Sequence, residues 1–362
     1  MLFLLADDVF AQDGDDLLDL LRVLRLAFEG RLRIHIGRAG QGFRSWITRR
    51  TDAERAWIEL ALDASARDLP SGSPCCAKVL GAAASRWDLD VPELSVGDAA
   101  RLASAPLRLL LEDFADDGHF LAWIGKALGN SAWSKVRDAM RRGWIVVTHG
   151  GGNSSMLRLL RALGPDASPR PWGLEDARGG IRPDHHPCRH WVMFDHDGTE
   201  PGDDRRGATA AKLAETCRTL RVRHHPLRRR SIENYLPSVL LQRWSTGTFE
   251  EPARRVAPDV LQCRQRLCDA FSRLSKDQQR HYYFREGLRK DADRETGAID
   301  AAFASIPCAD QWALACGFDA YDKRGVTRLF SDPRAAASAP ALREDGSYNE
   351  AVEILQGIAE AL

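Results

Sequence analysis

The chain has 362 residues, 44% of them hydrophobic and 28% charged, a composition that excludes a disordered, collagen-like or disulfide-stapled polymer. At roughly 150 residues per domain the length predicts about two domains. Lys and Arg number 51 against 51 Asp and Glu, so no net field draws the whole surface to nucleic acid or membrane, and any such binding has to come from local patches.

The chain opens on MLFLLADDVF, an apolar run with no basic residue before it and an Asp pair at its end, unlike a signal peptide or a membrane anchor. Cys75, Cys76, Cys188, Cys217, Cys263, Cys268, Cys308 and Cys316 show no C-x-x-C spacing and read as reduced thiols of a cytoplasmic protein. Residues 2–6 predict a short buried strand. The Leu spacing of 16–28 predicts an amphipathic helix, RLRIHIG (31–37) a strand of period two, and 52–67 a helix with a Thr cap. This makes a small N-terminal α/β domain over 1–100, and the turn-rich stretches within 68–100 read as its boundary loops.

From 106 on, apolar runs alternate with helical patterns. LRLLLED (107–113), WIVVTHGGG (144–152) and HWVMFDHDG (190–198) are buried strands that end in acids or glycines, and TLRVRHH (219–225) predicts a fourth. Strands separated by helices predict a parallel sheet with helices on both faces, which binds ligands at its C-terminal strand ends. Beyond 240 the patterns are helical, so 241–362 reads as a mainly helical C-terminal extension. No repeat recurs at a fixed period.

Glu112 ends the first of these strands, with Asp116 four residues on, and Asp195 and Asp197 end the third as an Asp-x-Asp pair. In extended chain the two members of such a pair point to one side. Carboxylates gathered at one sheet edge repel each other unless a cation neutralises them, and an all-oxygen set suits Mg²⁺ or Mn²⁺. Asp113, Asp117, Asp203 and Asp204 read instead as helix caps and solvated turn residues.

A strand ending in Glu with Asp four residues later, a strand breaking into a glycine turn, and a strand ending in Asp-x-Asp resemble the Toprim domain of topoisomerases, bacterial primases and OLD-like (overcoming lysogenisation defect) nucleases. LEDFADDGHFL, VVTHGGGNSSMLRLL and FDHDG carry the resemblance, with RRRSIENYLP (228–237) similar to the segment after the fourth strand of those nucleases. It covers about 106–240, the Toprim core. Asp113 stands where the family usually has a small residue, and residues 1–100 match no part of it. The resemblance implies a Rossmann-like Toprim fold, two Mg²⁺ or Mn²⁺ ions, and a nuclease cutting or nicking DNA by two-metal phosphodiester hydrolysis, with RNA left open as a substrate. It implies Glu112 as metal ligand or general base, Asp116, Asp195 and Asp197 as ligands, and Glu233 as a further acid. The late Lys of the family falls on Lys323 or Lys290. Relatives serve in bacterial anti-phage defence beside an ATPase. This chain has no G-x-x-x-x-G-K-[ST], so an ATPase would be a separate partner.

Six arginines and no acid occupy 218–230, and Arg221, Arg223, Arg228, Arg229 and Arg230 read as phosphate-backbone contacts beside the acids. Gly150, Gly151 and Gly152 read as a tight strand-to-helix turn. His185, His186, Cys188 and His190 are spaced poorly for tetrahedral zinc, and Asp7 and Asp8 read as caps of the helix that follows them. Two competing readings stand beside the nuclease. FDHDGT also resembles the first motif of haloacid-dehalogenase-type phosphatases, with Asp195 as nucleophile; the other is a non-enzymatic Toprim-scaffold sensor subunit.

Overall fold

The computed structural model describes residues 1–11, 14–36, 40–66, 76–81, 84–87, 89, 91–164, 182–198, 205–249, 257–283, 301–315 and 326–362. The N-terminal unit runs β1 (Leu2–Leu5), α1 (Gly14–Phe28), β2 (Arg33–Ile36), α2 (Gln41–Thr48), α3 (Asp52–Ala66), β3 (Cys76–Leu80), β4 (Glu93–Ser95) and α4 (Val96–Ser104). Its strands are parallel in the order β2-β1-β3-β4. Phe3 and Leu5 alternate into the core, where α1 lays Leu20, Val23, Leu24 and Ala27 against them at helical spacing. β3 and β4 fall in the stretch that the sequence presented as boundary loops. They are five and three residues long, too short for a period to stand out from flanking turn residues, and only pairing with β1 makes them strands.

Asp7, at the end of β1, caps a helix other than the one expected. Its carboxylate accepts from the N–H groups of Gly42 (2.9 Å) and Phe43 (3.0 Å), the first turn of α2 rather than of α1. Asp7→Ala is expected to lower stability by about 1 kcal/mol, the usual value of a lost N-cap, read as a lower urea midpoint at unchanged slope.

The second unit runs β5 (Leu107–Leu111), α5 (Asp116–Leu128), α6 (Ser131–Arg141), β6 (Ile145–His149), α7 (Asn153–Ala162), β7 (His190–Phe194), α8 (Ala208–Thr219) and β8 (Arg223–Pro226). Its four strands are again parallel, in the order β6-β5-β7-β8. The two units thus share one strand order without any repeat in sequence. Leu109, Leu111, Trp191 and Met193 enter the core beneath α5 and α6, whereas Leu110, Val192 and Phe194 enter a separate core under α7 and α8. Both faces of β5 and β7 are therefore covered, which is why, apart from Arg108 and His190 near their N-terminal ends, these strands are apolar.

Among the described residues the C-terminal third consists of helices: α9 (Ser238–Ser245), α10 (Pro258–Arg273), α11 (Lys276–Tyr282), α12 (Cys308–Ala313), α13 (Ala339–Asp345) and α14 (Tyr348–Ala361). It is no separate extension. α14 packs on α5, α6 and β8, and at Gly357 it approaches the sheet so closely that a Cβ there would lie 3.3 Å from the Trp191 indole nitrogen. The boundary expected near 240 divides the chain but not the core, because the open face of the second sheet is closed by the last helix.

A buried arginine, Arg189, and a half-buried one, Arg31, join the two units. Arg31 and Arg189 both donate to the carbonyl of Ala105 (2.7 and 2.6 Å), and Arg31 also to that of Ser104 (2.6 Å). They thereby neutralise the C-terminal end of α4. Burial, followed by the charge of Arg189, lowers Arg31 to about 10. The His/Cys group serves this same joint. The His186 ring lies tilted against Trp87, 4.7 Å between centroids, with Nδ1 3.0 Å from Cys188 Sγ, and His190 Nδ1 lies 3.2 Å from the His186 carbonyl. Burial lowers the two imidazoles to about 4 and about 3, so both are neutral packing groups at physiological pH. No helix among the described residues is long and apolar enough to cross a membrane.

Candidate functional site

In the second sheet the chain winds outward one way from β5 to β6, and the other way through β7 to β8. Their crossover helices pack on opposite faces, so the C-terminal ends of β5 and β7 form a topological switch point, the place at which such sheets bind ligands. Glu112 follows β5 and Asp195 follows β7, one on each side of this switch point.

The glycine turn after β6 folds back over Glu112. The Gly150 N–H donates to the Leu111 carbonyl (2.6 Å) and that of Gly151 to the Glu112 carbonyl (3.1 Å). A Cβ at Gly150 would lie 2.8 Å from the Leu111 oxygen and 2.3 Å from Met156 Cγ. Gly151 and Gly152 have φ of 68° and 87°, conformations that a side chain would strain. The turn therefore needs glycine for backbone approach, and it leaves Gly152 beside Glu112 Oε1.

The acids form an electrostatic web. Glu112 is pushed up to about 7, first by burial and then by Asp197, Glu233 and Asp113. Asp117 also rises to about 7, through burial and the charges of Glu112, Glu233 and Asp113, against a lowering hydrogen bond from the Asp113 N–H. Asp195 lies well above the usual carboxylate range, held there by burial and by Glu112, Glu233, Asp117 and Asp197. Glu112 Oε2 is buried with no hydrogen-bond partner among the described residues.

Asp116 and Asp117 exchange the places expected of them. Asp116 stands first in α5, where its N–H donates to Asp113 Oδ1 (3.0 Å). Asp117 is 6% exposed and faces the other acids. Adjacent helical residues point about 100° apart, so only one of the two can face the switch point. Asp113 caps the loop through Ala115 and Asp116, the use expected of it.

The Asp-x-Asp pair is not extended. β7 ends at Phe194, and Asp197 takes a left-handed φ of 54°, so period-two alternation does not orient it. It is held from outside instead. Asn153 Nδ2 donates to Asp197 Oδ2 (2.5 Å), and the Arg230 carbonyl accepts from the N–H groups of His196 (3.0 Å) and Asp197 (3.4 Å). A Cβ at Gly207 would lie 2.7 Å from the Asp197 carbonyl oxygen. Asn153 is 6% exposed, and its place at the helix start after the glycine turn is the only sequence signal for this role.

Glu233 lies in a 3-10 turn, Ile232–Tyr235, hung on the C-terminal helices. The Tyr235 hydroxyl donates to Glu350 Oε1 (2.8 Å), which also accepts from the Arg228 N–H (2.7 Å) and lies 3.1 Å from His225 Nε2. Arg229 is 8% exposed, ion-paired with Asp345 at 2.8 Å, and lies 3.8 Å from the Tyr283 ring centroid and 5.0 Å from that of Tyr235. It is a core residue of this turn rather than a surface contact for phosphate.

The arginine strip is also divided. Arg228 pairs with Glu353, and the Arg230 backbone holds the Asp197 loop. Arg221 and Arg223 lie at the N-terminal end of β8, roughly 10 Å or more along the strand from the acid-bearing ends at about 3.3 Å per residue. Lys290, Lys323, Asp203 and Asp204 lie outside the described residues.

The all-oxygen chemistry of the web and the unpartnered Glu112 Oε2 fit a hard divalent cation. The side chains do not form a ready chelate, since among the described residues no group of three or more His, Cys, Asp or Glu is set to hold a metal ion. Comparison with protein-family models, with curated proteins and with solved structures gave no match.

Proposed function

We propose that the chain is a Toprim-type, Mg²⁺- or Mn²⁺-dependent nuclease that hydrolyses phosphodiester bonds of DNA at the β5/β7 switch point. One observation carries this reading: Glu112, Asp117 and Asp195 crowd one switch point beside Glu233, and burial together with the surrounding carboxylate charges raises the proton affinity of all three, an arrangement that is unfavourable without a cation. Glu112, Asp117, Asp195 and Asp197 are the residues that would hold metal, Asp117 taking the part expected of Asp116. When bound, the metal would make an attacking water more acidic and offset charge at the phosphate. Asn153 fixes Asp197, the glycine turn leaves room above Glu112, and the Arg229–Tyr235 turn presents Glu233. The phosphatase alternative uses Asp195 but leaves Glu112, Asp117 and Glu233 without a task. The anti-phage role and a separate ATPase partner rest on the sequence resemblance, and co-purification of the native protein with an ATPase tests the latter.

The experiment is incubation of supercoiled plasmid with the purified chain in Mg²⁺ or Mn²⁺, with EDTA as control. Nicking that needs the metal and disappears in both Glu112→Ala and Asp195→Ala supports the proposal. Hydrolysis of p-nitrophenyl phosphate that survives Glu112→Ala and vanishes in Asp195→Ala would turn the assignment to the phosphatase.

A further inference from the structure

Phe114 is 59% exposed, although it lies only two residues beyond Glu112. A lone exposed apolar residue needs no explanation; this one differs in how it is held and in what it adjoins. Its loop is tied down on both sides. The Asp113 N–H donates to Asp117 Oδ2 (3.0 Å), and Asp113 Oδ1 accepts from Ala115 (2.8 Å) and Asp116 (3.0 Å). The backbone that carries the ring is thus ordered before any ligand arrives. The His149 ring stands edge-on to it, 6.3 Å between centroids at 81°. His149 is itself exposed at the end of β6, in register with Leu111 at the end of β5. An aromatic pair therefore flanks the acid web on the β6 side, while Asp195 flanks it on the β7 side.

We infer that Phe114, backed by His149, is a stacking platform for an unpaired nucleobase next to the scissile phosphate, so that the substrate is single-stranded or locally unpaired nucleic acid. This rests on the nuclease reading of the acid web. A pre-ordered aromatic surface stacks any base with little further loss of entropy. A base held in a duplex keeps its faces against its neighbours and has none to offer the ring.

The test is cleavage in Mg²⁺ of a single-stranded oligonucleotide and of the same sequence fully paired, by wild type, Phe114→Ala and Phe114→Trp. Phe114→Ala is expected to raise KM for the single strand about 5- to 150-fold, the range of one lost base–aromatic stack, with kcat changed less than about 3-fold. KM for the paired substrate should not move, and Phe114→Trp should retain single-strand KM. An unchanged single-strand KM in Phe114→Ala overturns the platform and leaves the nuclease standing. If wild type cleaves neither substrate, the nuclease reading falls, and the emission of Phe114→Trp minus that of wild type decides the platform: quenching by the single strand supports it, and no change overturns it.

Discussion

Glu112→Gln is expected to abolish metal-dependent nicking and, in the same protein without metal, to raise the melting temperature at pH 8. The two effects have one cause. Glu112 sits among Asp197, Glu233 and Asp113 with its folded-state value raised from 4.5 to about 7, so the native protein binds its proton more tightly than the unfolded chain does. Wherever the native state holds the extra proton, stability falls as pH rises. For Glu112 the loss begins near pH 4.5, is nearly complete a little above pH 7, and persists at higher pH. The neutral amide removes that loss, which is about 3 kcal/mol for a shift of this size. Melting curves in EDTA should therefore coincide at pH 4 and separate by a few degrees at pH 8. Nicking should fall at least about 100-fold, the scale of losing one preorganised electrostatic group. Identical melting of the two proteins at pH 8 would mean that Glu112 does not share the crowded web.

The second large effect lies away from the acids. Arg229→Met should cost about 3–5 kcal/mol of stability, because it leaves the carboxylate of Asp345, 4% exposed, without its ion pair. The double variant Arg229→Met/Asp345→Leu should recover much of that loss, since replacing both partners removes the stranded charge. Urea midpoints of the two single variants and the double variant provide the measurement. Additive losses across the three would mean that the pair is not coupled. Because the turn bearing Glu233 hangs on Arg229 and Tyr235, nicking should weaken in Arg229→Met and return in part in the double variant.

Much of the second sheet was legible in sequence because its two central strands, β5 and β7, are buried on both faces. LRLLL, WIVV and HWVMF are predominantly apolar runs, and Glu112 and Asp195 follow two of them. The N-terminal sheet was half legible, as β3 and β4 are too short to carry a period. The arginine run read as one strip because position along the chain hides direction in space. A β-strand carries Arg221 and Arg223 to one end of the sheet and Arg228 to Arg230 to the other. The burial of Arg229 is hidden from the sequence for a related reason, since its partners Asp345 and Tyr283 lie 116 and 54 residues away in the chain.

By itself the sequence determined that this is an α/β protein, with acids at the ends of buried parallel strands and helices closing the chain, because hydrophobic period and strand-end polarity are local properties. The tertiary structure decided that Asp117 rather than Asp116 enters the web, that Asp197 is aimed by Asn153 rather than by strand alternation, and that α14 belongs to the core of the second sheet. Each of these depends on which surfaces meet, and burial among like charges exists only once β5, β7 and the Ile232–Tyr235 turn have been brought to one edge.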